Sequence, residues 1–245
     1  MLISRILARI QSDFCGVCLY RDQRVTLSRS YRGDVDTFGV ALMETRPGSR
    51  HAGLIVDVPE LGGKRFLHLA WHYMFLNDSI PQGCHTYGND SFTKDEQDYL
   101  AERLVRRWKR NGNKVAYGLD YDGTPAFDSH EDFDGSEGRG LTCATFVLDF
   151  LSSCAFHICE VETWKFRPED EKFQQFIFDQ LSNRLCTVDD AEQLARVKKS
   201  IGQAARFRPE EVVACFARFE DDLIPMPPAQ FWGYEVLHES KMLVV

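Results

Sequence analysis

A cysteine stands at the start of an apolar, helix-like run in the stretch GRGLTCATFVLDF, residues 138–150. Thr142 is a helix-capping residue type, and Cys143 begins an i, i+3, i+4 spacing that Phe146 and Val147 continue. The free N–H groups and partial positive charge at a helix start favour a thiolate and can hold an oxyanion. The pattern therefore fits a nucleophile, although it also fits a thiol buried in a core.

Two upstream histidines can complete the chemistry of this thiol. His51 opens the apolar run HAGLIVDV, and His68 lies in the next one, RFLHLAWH. If these runs pair as a hairpin, both imidazoles can lie close together on one face. A thiol nucleophile needs a base, and the base needs a polar partner that fixes its tautomer. We therefore predict Cys143 as nucleophile, His51 as base and His68 as the orienting residue. The alternative is a turn-edge His51 and a hydrogen-bonded core His68.

The hairpin that must position the histidines has its own turn signal. PELGGK, residues 59–64, separates the two runs, and its proline and glycines stop one strand and permit the turn. FGVALMET, just before the hairpin, predicts a further strand. KVAYGLDYD, residues 114–122, predicts another.

Helical patterns surround these strands. Thr93 and Glu96 form a capping box that predicts a helix over residues 93–112, and an amphipathic pattern predicts one over residues 1–14. After the cysteine helix, further helices are expected at residues 169–184, 189–204 and 208–219, followed by a proline-rich tail. We predict a catalytic core over residues 1–160 and a helical extension over residues 161–245, packed together as one compact domain.

At the cysteine and the two histidines the chain resembles a known group. HAGLIV, FLHLAWH and GLTCATFVLDFL, in that order, are similar to motifs of the permuted NlpC-type papain-like superfamily. That group contains cell-wall amidases and peptidases and the lecithin retinol acyltransferase branch. The resemblance covers residues 35–155 and implies an α+β fold, with a small antiparallel sheet packed on the cysteine helix. It also implies a catalytic triad of Cys143, His51 and His68.

The residues around the cysteine bear on the reaction class. In the acyltransferase branch an asparagine–cysteine pair is followed by glutamate and histidine, whereas this chain has Thr142, Cys143, Ala144 and Thr145. We therefore expect a cysteine hydrolase that cleaves an amide bond, of a peptide or isopeptide-like kind, with a murein stem peptide as one candidate. The alternatives are a thioesterase or acyltransferase using the same residues, and a non-catalytic binding domain.

Three aromatic or imidazole residues are weaker candidates for substrate binding. Trp71 and His72 follow the second histidine, and Tyr117 lies in the predicted strand before the cysteine. The acidic segment at residues 120–137 is interpreted as a solvated loop, with a gate for a cationic substrate as the alternative. The extension over residues 161–245 can pack on the core or offer a surface to a protein partner or inhibitor.

Composition limits the partners. The 245-residue chain has a formal net charge of −8, which argues against general binding to nucleic acid or anionic lipid. The basic residues of the predicted helix at residues 93–112, including Arg103 and Arg107, alternate with acidic ones and are read as a solvated face. No stretch suggests a membrane span or a cleaved signal peptide, so we expect a cytoplasmic protein or export by a dedicated secretion system.

The eight cysteines do not suggest a disulfide scaffold, because they are scattered through a sizeable chain. Cys15 and Cys18 form a C-x-x-C pair, but no second pair at zinc-ligand spacing accompanies it. We expect no metal and no cofactor, since thiol and imidazole groups alone can carry acyl transfer.

Overall fold

The protein is an α+β structure built on one antiparallel sheet. The computed structural model describes residues 35–184 and 188–242, without the side chains of residues 188–190. The strands run in the order β4-β3-β2-β1-β5. Their bounds are Phe38–Arg46 (β1), Ser49–Val58 (β2), Gly63–Trp71 (β3), Met74–Asp78 (β4) and His85–Tyr87 (β5). The predicted helix at residues 1–14 and the C-x-x-C pair lie outside the described residues.

The predicted histidine hairpin is present as β2 and β3. Val58 pairs with Gly63, and the ladder runs from there to the pair Leu54 and Leu67. The connection is a short 3-10 turn at Pro59–Leu61, followed by Gly62 and Gly63, which both have positive φ values of 73° and 121°. Glycine adopts this left-handed conformation without the steric cost of a Cβ, so the turn forms where the sequence predicts it.

Six α-helices accompany the sheet within the described residues. The cysteine helix α2 packs against β2 and β3, and its Phe146 meets Phe75 of β4 with ring centroids 4.6 Å apart. Helix α5 packs on β1, β2 and α2, and α6 packs on α5. The bounds are Lys94–Asn111 (α1), Cys143–Ser153 (α2), Glu171–Ser182 (α3), Val188–Ser200 (α4), Pro209–Arg218 (α5) and Met226–Glu239 (α6). Part of the carboxyl-terminal extension thus shares the core of the sheet.

The predicted capping box of α1 is confirmed. The Thr93 side chain accepts from the Glu96 N–H, and a Glu96 carboxylate oxygen accepts from the Thr93 N–H at 2.8 Å. Two donors that lack intrahelical partners are thereby satisfied at the helix start.

The basic face of α1 is not fully solvated, which corrects one prediction. Arg107 is completely buried and donates to Glu131 at 2.6 Å, to Asp149 at 3.1 Å and to Ser153 at 2.7 Å. Arg103 also pairs with Glu131, which is 3% exposed. The acidic segment at residues 120–137 is therefore tied to the core through Glu131. The interpretation as a solvated loop fails at Glu131, because this carboxylate neutralises the buried guanidinium of Arg107.

Two other predictions fail for local reasons. Residues 114–122 form no strand, since their backbone bonds to other segments are isolated: Tyr73 donates to Val115, Gly118 donates to Leu141, and Leu141 donates to Ala116. The proline-rich tail is largely helix α6, because its three prolines lie at the N-cap and in the first turn, where a missing N–H costs no hydrogen bond.

We predict that Arg107→Ala lowers the free energy of unfolding at neutral pH by about 3–5 kcal/mol, since it leaves the buried Asp149 carboxylate without its guanidinium partner. Arg106→Ala is the matched control, because Arg106 is the exposed neighbour on the same helix. That control is expected to change the value by less than about 0.5 kcal/mol. Urea unfolding of both variants measures the difference, and equal small losses would contradict the assigned role of Arg107.

Candidate active site

The start of α2 places the cysteine where the sequence predicts it. The Thr142 hydroxyl accepts from the Thr145 N–H at 3.1 Å, and the Thr145 hydroxyl accepts from the Thr142 N–H at 2.7 Å. Cys143 is the first helical residue, so its own N–H and that of Ala144 have no partner within the helix. Both N–H groups act on the thiol and lower its pKa, against a larger opposing effect of burial.

The two predicted imidazoles are brought together. Nε2 of His51 and Nδ1 of His68 lie 2.7 Å apart, which is a hydrogen bond between neighbouring strands. The β2–β3 ladder stops at Leu54 and Leu67, so both histidines lie just beyond its last pair. The open end of the hairpin therefore provides room for side-chain contacts in place of the regular ladder.

A glycine makes the close approach possible. A Cβ added to Gly53 would lie 2.6 Å from the Cβ of His68 and 2.5 Å from the Phe66 ring. The Phe66 ring fills this space, stacking on His68 at a centroid distance of 4.3 Å and meeting His51 edge-on at 6.1 Å. One apolar ring thus holds both imidazoles in place.

A carboxylate that was not predicted from the sequence is hydrogen-bonded to the second imidazole of this pair. Oδ2 of Asp78, the last residue of β4, lies 3.0 Å from Nε2 of His68. Phe66 pairs with Asp78 in the β3–β4 register, so the carboxylate reaches His68 diagonally across the two strands. The sequence feature that could have revealed Asp78 is the hairpin after Trp71. A predicted strand β4, paired in register with β3, would have placed Asp78 beside His68.

The thiol is connected to the backbone beside His51 and not to the imidazoles themselves. The N–H of Ala52, the residue after His51, acts on the Cys143 thiol and lowers its pKa. Within the described part of the chain, no hydrogen bond joins this sulfur to either imidazole. The structure thus brings His51 and His68 into contact and brings Cys143 to the backbone beside them.

Burial sets the protonation states of this group. It lowers the pKa of His51 to about 4 and raises the pKa of Cys143, which is 6% exposed. Burial also lowers the pKa of His68, partly offset by the Asp78 carboxylate. The resting site at neutral pH therefore contains a thiol and neutral imidazoles. The expected depression of the thiol pKa by the helix start is outweighed by desolvation.

The three weaker candidates form a cluster of their own, which reaches the thiol through Tyr117. The Trp71 and Tyr117 rings are 4.7 Å apart, and the Tyr117 N–H donates to Nδ1 of His72 at 3.1 Å. Burial raises the pKa of Tyr117, with a further contribution from the Cys143 thiol, whereas Arg206 and the Cys143 N–H oppose it. Tyr117 is therefore the member of this cluster that reaches the nucleophile.

Two glycines allow the Tyr117 segment to approach the cysteine. A Cβ on Gly140 would lie 2.7 Å from the Gly118 nitrogen, and one on Gly118 would be equally close to Gly140. This contact lets the Gly118 N–H donate to the Leu141 carbonyl at 3.2 Å, directly before α2. Local backbone packing thus fixes Tyr117 beside the thiol.

Residues of the carboxyl-terminal extension line the same region. Gln193 of α4 donates to the Tyr117 carbonyl, and the Arg206 guanidinium lowers the pKa of Cys143. Arg50, which precedes the base, donates to the Met242 carbonyl at 3.0 Å and pairs with Glu210 at 3.8 Å. Nothing in the sequence pattern linked these positions to the cysteine, because they are separated from it by 50 or more residues.

Residues 35–184 and 188–242 offer neither a metal site nor a membrane-spanning helix. They contain no group of three histidine, cysteine, aspartate or glutamate residues arranged to hold a metal ion. They also contain no helix with the length and apolar character needed to cross a bilayer.

Comparison with protein-family models, with curated proteins and with solved structures gives no match for this chain.

The low pKa of His51 predicts a pH-dependent stability. The unfolded chain takes up a proton near pH 6.5 and the folded one only near pH 4, so stability falls as the pH is lowered through this window. Between pH 7 and 4.5 we expect wild type to lose about 2.5 kcal/mol relative to His51→Gln, whose amide can still donate to His68. Urea unfolding of both proteins at the two pH values measures this difference. Parallel losses would show that His51 is not buried as a neutral group.

Proposed function

We propose that this protein is a cysteine hydrolase that cleaves an amide bond through an acyl-enzyme on Cys143. The observation that carries the proposal is that the N–H of Ala52 acts on the Cys143 thiol, while His51, the residue before Ala52, is hydrogen-bonded to His68. A thiol, a neutral base and a polar partner for that base are the three groups that such chemistry requires. The resemblance to the permuted NlpC-type group supports the same roles.

In the proposed reaction His51 removes the thiol proton as sulfur attacks the acyl carbon. Nε2 of His51 is bonded to His68, so Nδ1 is the nitrogen left to receive that proton. The neutral imidazole favoured by burial is the form that can act as a base. His51 then protonates the leaving amine, and a water activated by His51 hydrolyses the thioester and restores the thiol.

The electrostatics around the sulfur suit a developing negative charge. The N–H groups of Ala52, Cys143 and Ala144 all favour the charged form of Cys143, and Arg206 adds a positive charge nearby. Donors held in place by the backbone stabilise an oxyanion without reorganising during the reaction. Tyr117, Trp71 and His72 are the proposed wall of the acyl site, since Tyr117 interacts with the thiol and contacts both other residues.

The proposed substrate is a peptide or isopeptide-like amide, with a murein stem peptide as one candidate. Thioesters and acyl transfer to an amine are the alternative uses of the same thiol, and the departure at Thr142 and Ala144 from the acyltransferase pattern favours hydrolysis over them. An aminocoumarin-peptide panel tested with and without an added amine acceptor distinguishes the outcomes. Release that is unaffected by the amine, with free acid as product, supports hydrolysis.

We predict that iodoacetamide labels Cys143 at pH 7 about 10-fold faster or more than it labels Cys154, because only Cys143 has an adjacent base. Cys154 is the matched internal control, since it is 7% exposed against 6% for Cys143 and burial raises the pKa of both thiols. Peptide mass mapping at partial labelling gives the ratio.

His51→Gln should bring the Cys143 rate down to that of Cys154. If wild-type Cys143 labels no faster than Cys154, the protein has no activated nucleophile there. The non-catalytic binding domain is then the better description.

A further inference from the structure

Three side chains form an unbroken row of hydrogen bonds that ends at the proposed base. Asp78 Oδ2 lies 3.0 Å from His68 Nε2, and His68 Nδ1 lies 2.7 Å from His51 Nε2. The imidazoles are buried or half-buried, whereas the Asp78 side chain is 53% exposed and lies at the end of the row. The direction of each bond in the row depends on where its protons are.

The carboxylate determines these directions, because an ionised carboxylate only accepts hydrogen bonds. His68 must therefore carry its proton on Nε2, which leaves Nδ1 as an acceptor. His51 must in turn carry its proton on Nε2 in order to donate to His68. Nδ1 of His51 is then unprotonated, which is the state a base needs.

We propose that Asp78 is a positioning residue that selects, through His68, the tautomer of His51 competent to accept the thiol proton. This inference rests on the proposed function, because only a base requires a free Nδ1. Asp78 touches neither the thiol nor the base, so it acts entirely through the orientation and protonation of His68.

The end of β4 is built to keep this carboxylate in place. Arg65 of β3 donates to the Asn77 side-chain oxygen at 2.7 Å and to the Asn77 carbonyl at 2.8 Å. Two bonds from one guanidinium fix both the position and the orientation of the residue before Asp78. An edge strand would otherwise fray at its last residue.

The test uses Asp78→Asn in the full-length protein. Asparagine has nearly the same shape, but its amide can donate to Nε2 of His68 and so allow the opposite tautomer. Asp57→Asn is the matched control, since it removes a carboxylate from strand β2 of the same sheet with no imidazole contact among the described residues. Asp78→Glu is the conservative variant that retains an acceptor.

Long-range proton–nitrogen NMR correlations of histidine rings report the tautomers directly. In wild type and Asp57→Asn we expect Nε2 protonated and Nδ1 unprotonated for both His51 and His68. In Asp78→Asn a substantial fraction of both rings should change to the Nδ1-protonated form, and Asp78→Glu should restore the wild-type pattern. Unchanged tautomers in folded Asp78→Asn overturn the inference.

Labelling of Cys143 by iodoacetamide separates this inference from the proposed function. Asp78→Asn should lower the wild-type rate by about 10-fold, as loss of an orienting partner does elsewhere, with Asp57→Asn unaffected. Rapid, His51-dependent labelling that is the same in Asp78→Asn would overturn the role of Asp78 and leave the hydrolase intact. Slow labelling of the wild type overturns the hydrolase, and the tautomers in the NMR spectra then still decide whether Asp78 directs the pair.

Discussion

A hydrogen bond between two neutral imidazoles forms only if one ring donates and the other accepts. This requirement determines much of the arrangement around His51 and His68. The rings must approach across two strands, which is why a glycine lies at position 53 and the β2–β3 ladder stops before it. The rings must also be kept from rotating, which the stacked Phe66 accomplishes. Sheet geometry, glycine placement and aromatic packing thus serve one polar contact.

The environment of the thiol reflects a balance between two opposing effects. The helix start and the Ala52 N–H favour a thiolate, while burial favours a neutral thiol and prevails. Burial likewise favours the neutral imidazole of His51, so both the thiol and the imidazole are uncharged. A site of this kind differs from a resting ion pair. In the proposed reaction, charge appears only when a substrate carbonyl is present to accept the sulfur electrons, and the fixed N–H groups stabilise that charge as it develops.

The sequence predicts the elements whose signals are local and misses those that depend on distant packing. The capping box of α1, the β2–β3 hairpin and the start of α2 each follow from a few neighbouring residues. Strand β4 follows a tight turn at Tyr73, where φ is 59°. This turn contains no glycine that would have predicted it from the sequence. Asp78 was missed with that strand.

The contact of Gln193 with Tyr117 and the effect of Arg206 on Cys143 likewise depend on tertiary packing, which residue spacing cannot predict. The same holds for Arg107, whose buried partners come from a loop and a helix far along the chain. Arg107 lies in an alternating charge pattern, which predicted that its side chain is exposed. That prediction failed because periodicity carries no information on which residues will pack over a side chain.

The order of the proposed catalytic residues along the chain has a consequence for synthesis on the ribosome. A protein emerges from its amino end, so the hairpin with both imidazoles leaves the exit tunnel before the cysteine has been added. Helix α4, which contacts Tyr117, and the segment carrying Arg206 are added after the cysteine. With the proposed roles, a nascent chain therefore holds a base without a nucleophile, and later a nucleophile without its full surroundings. The group is complete only after Arg206 has been added.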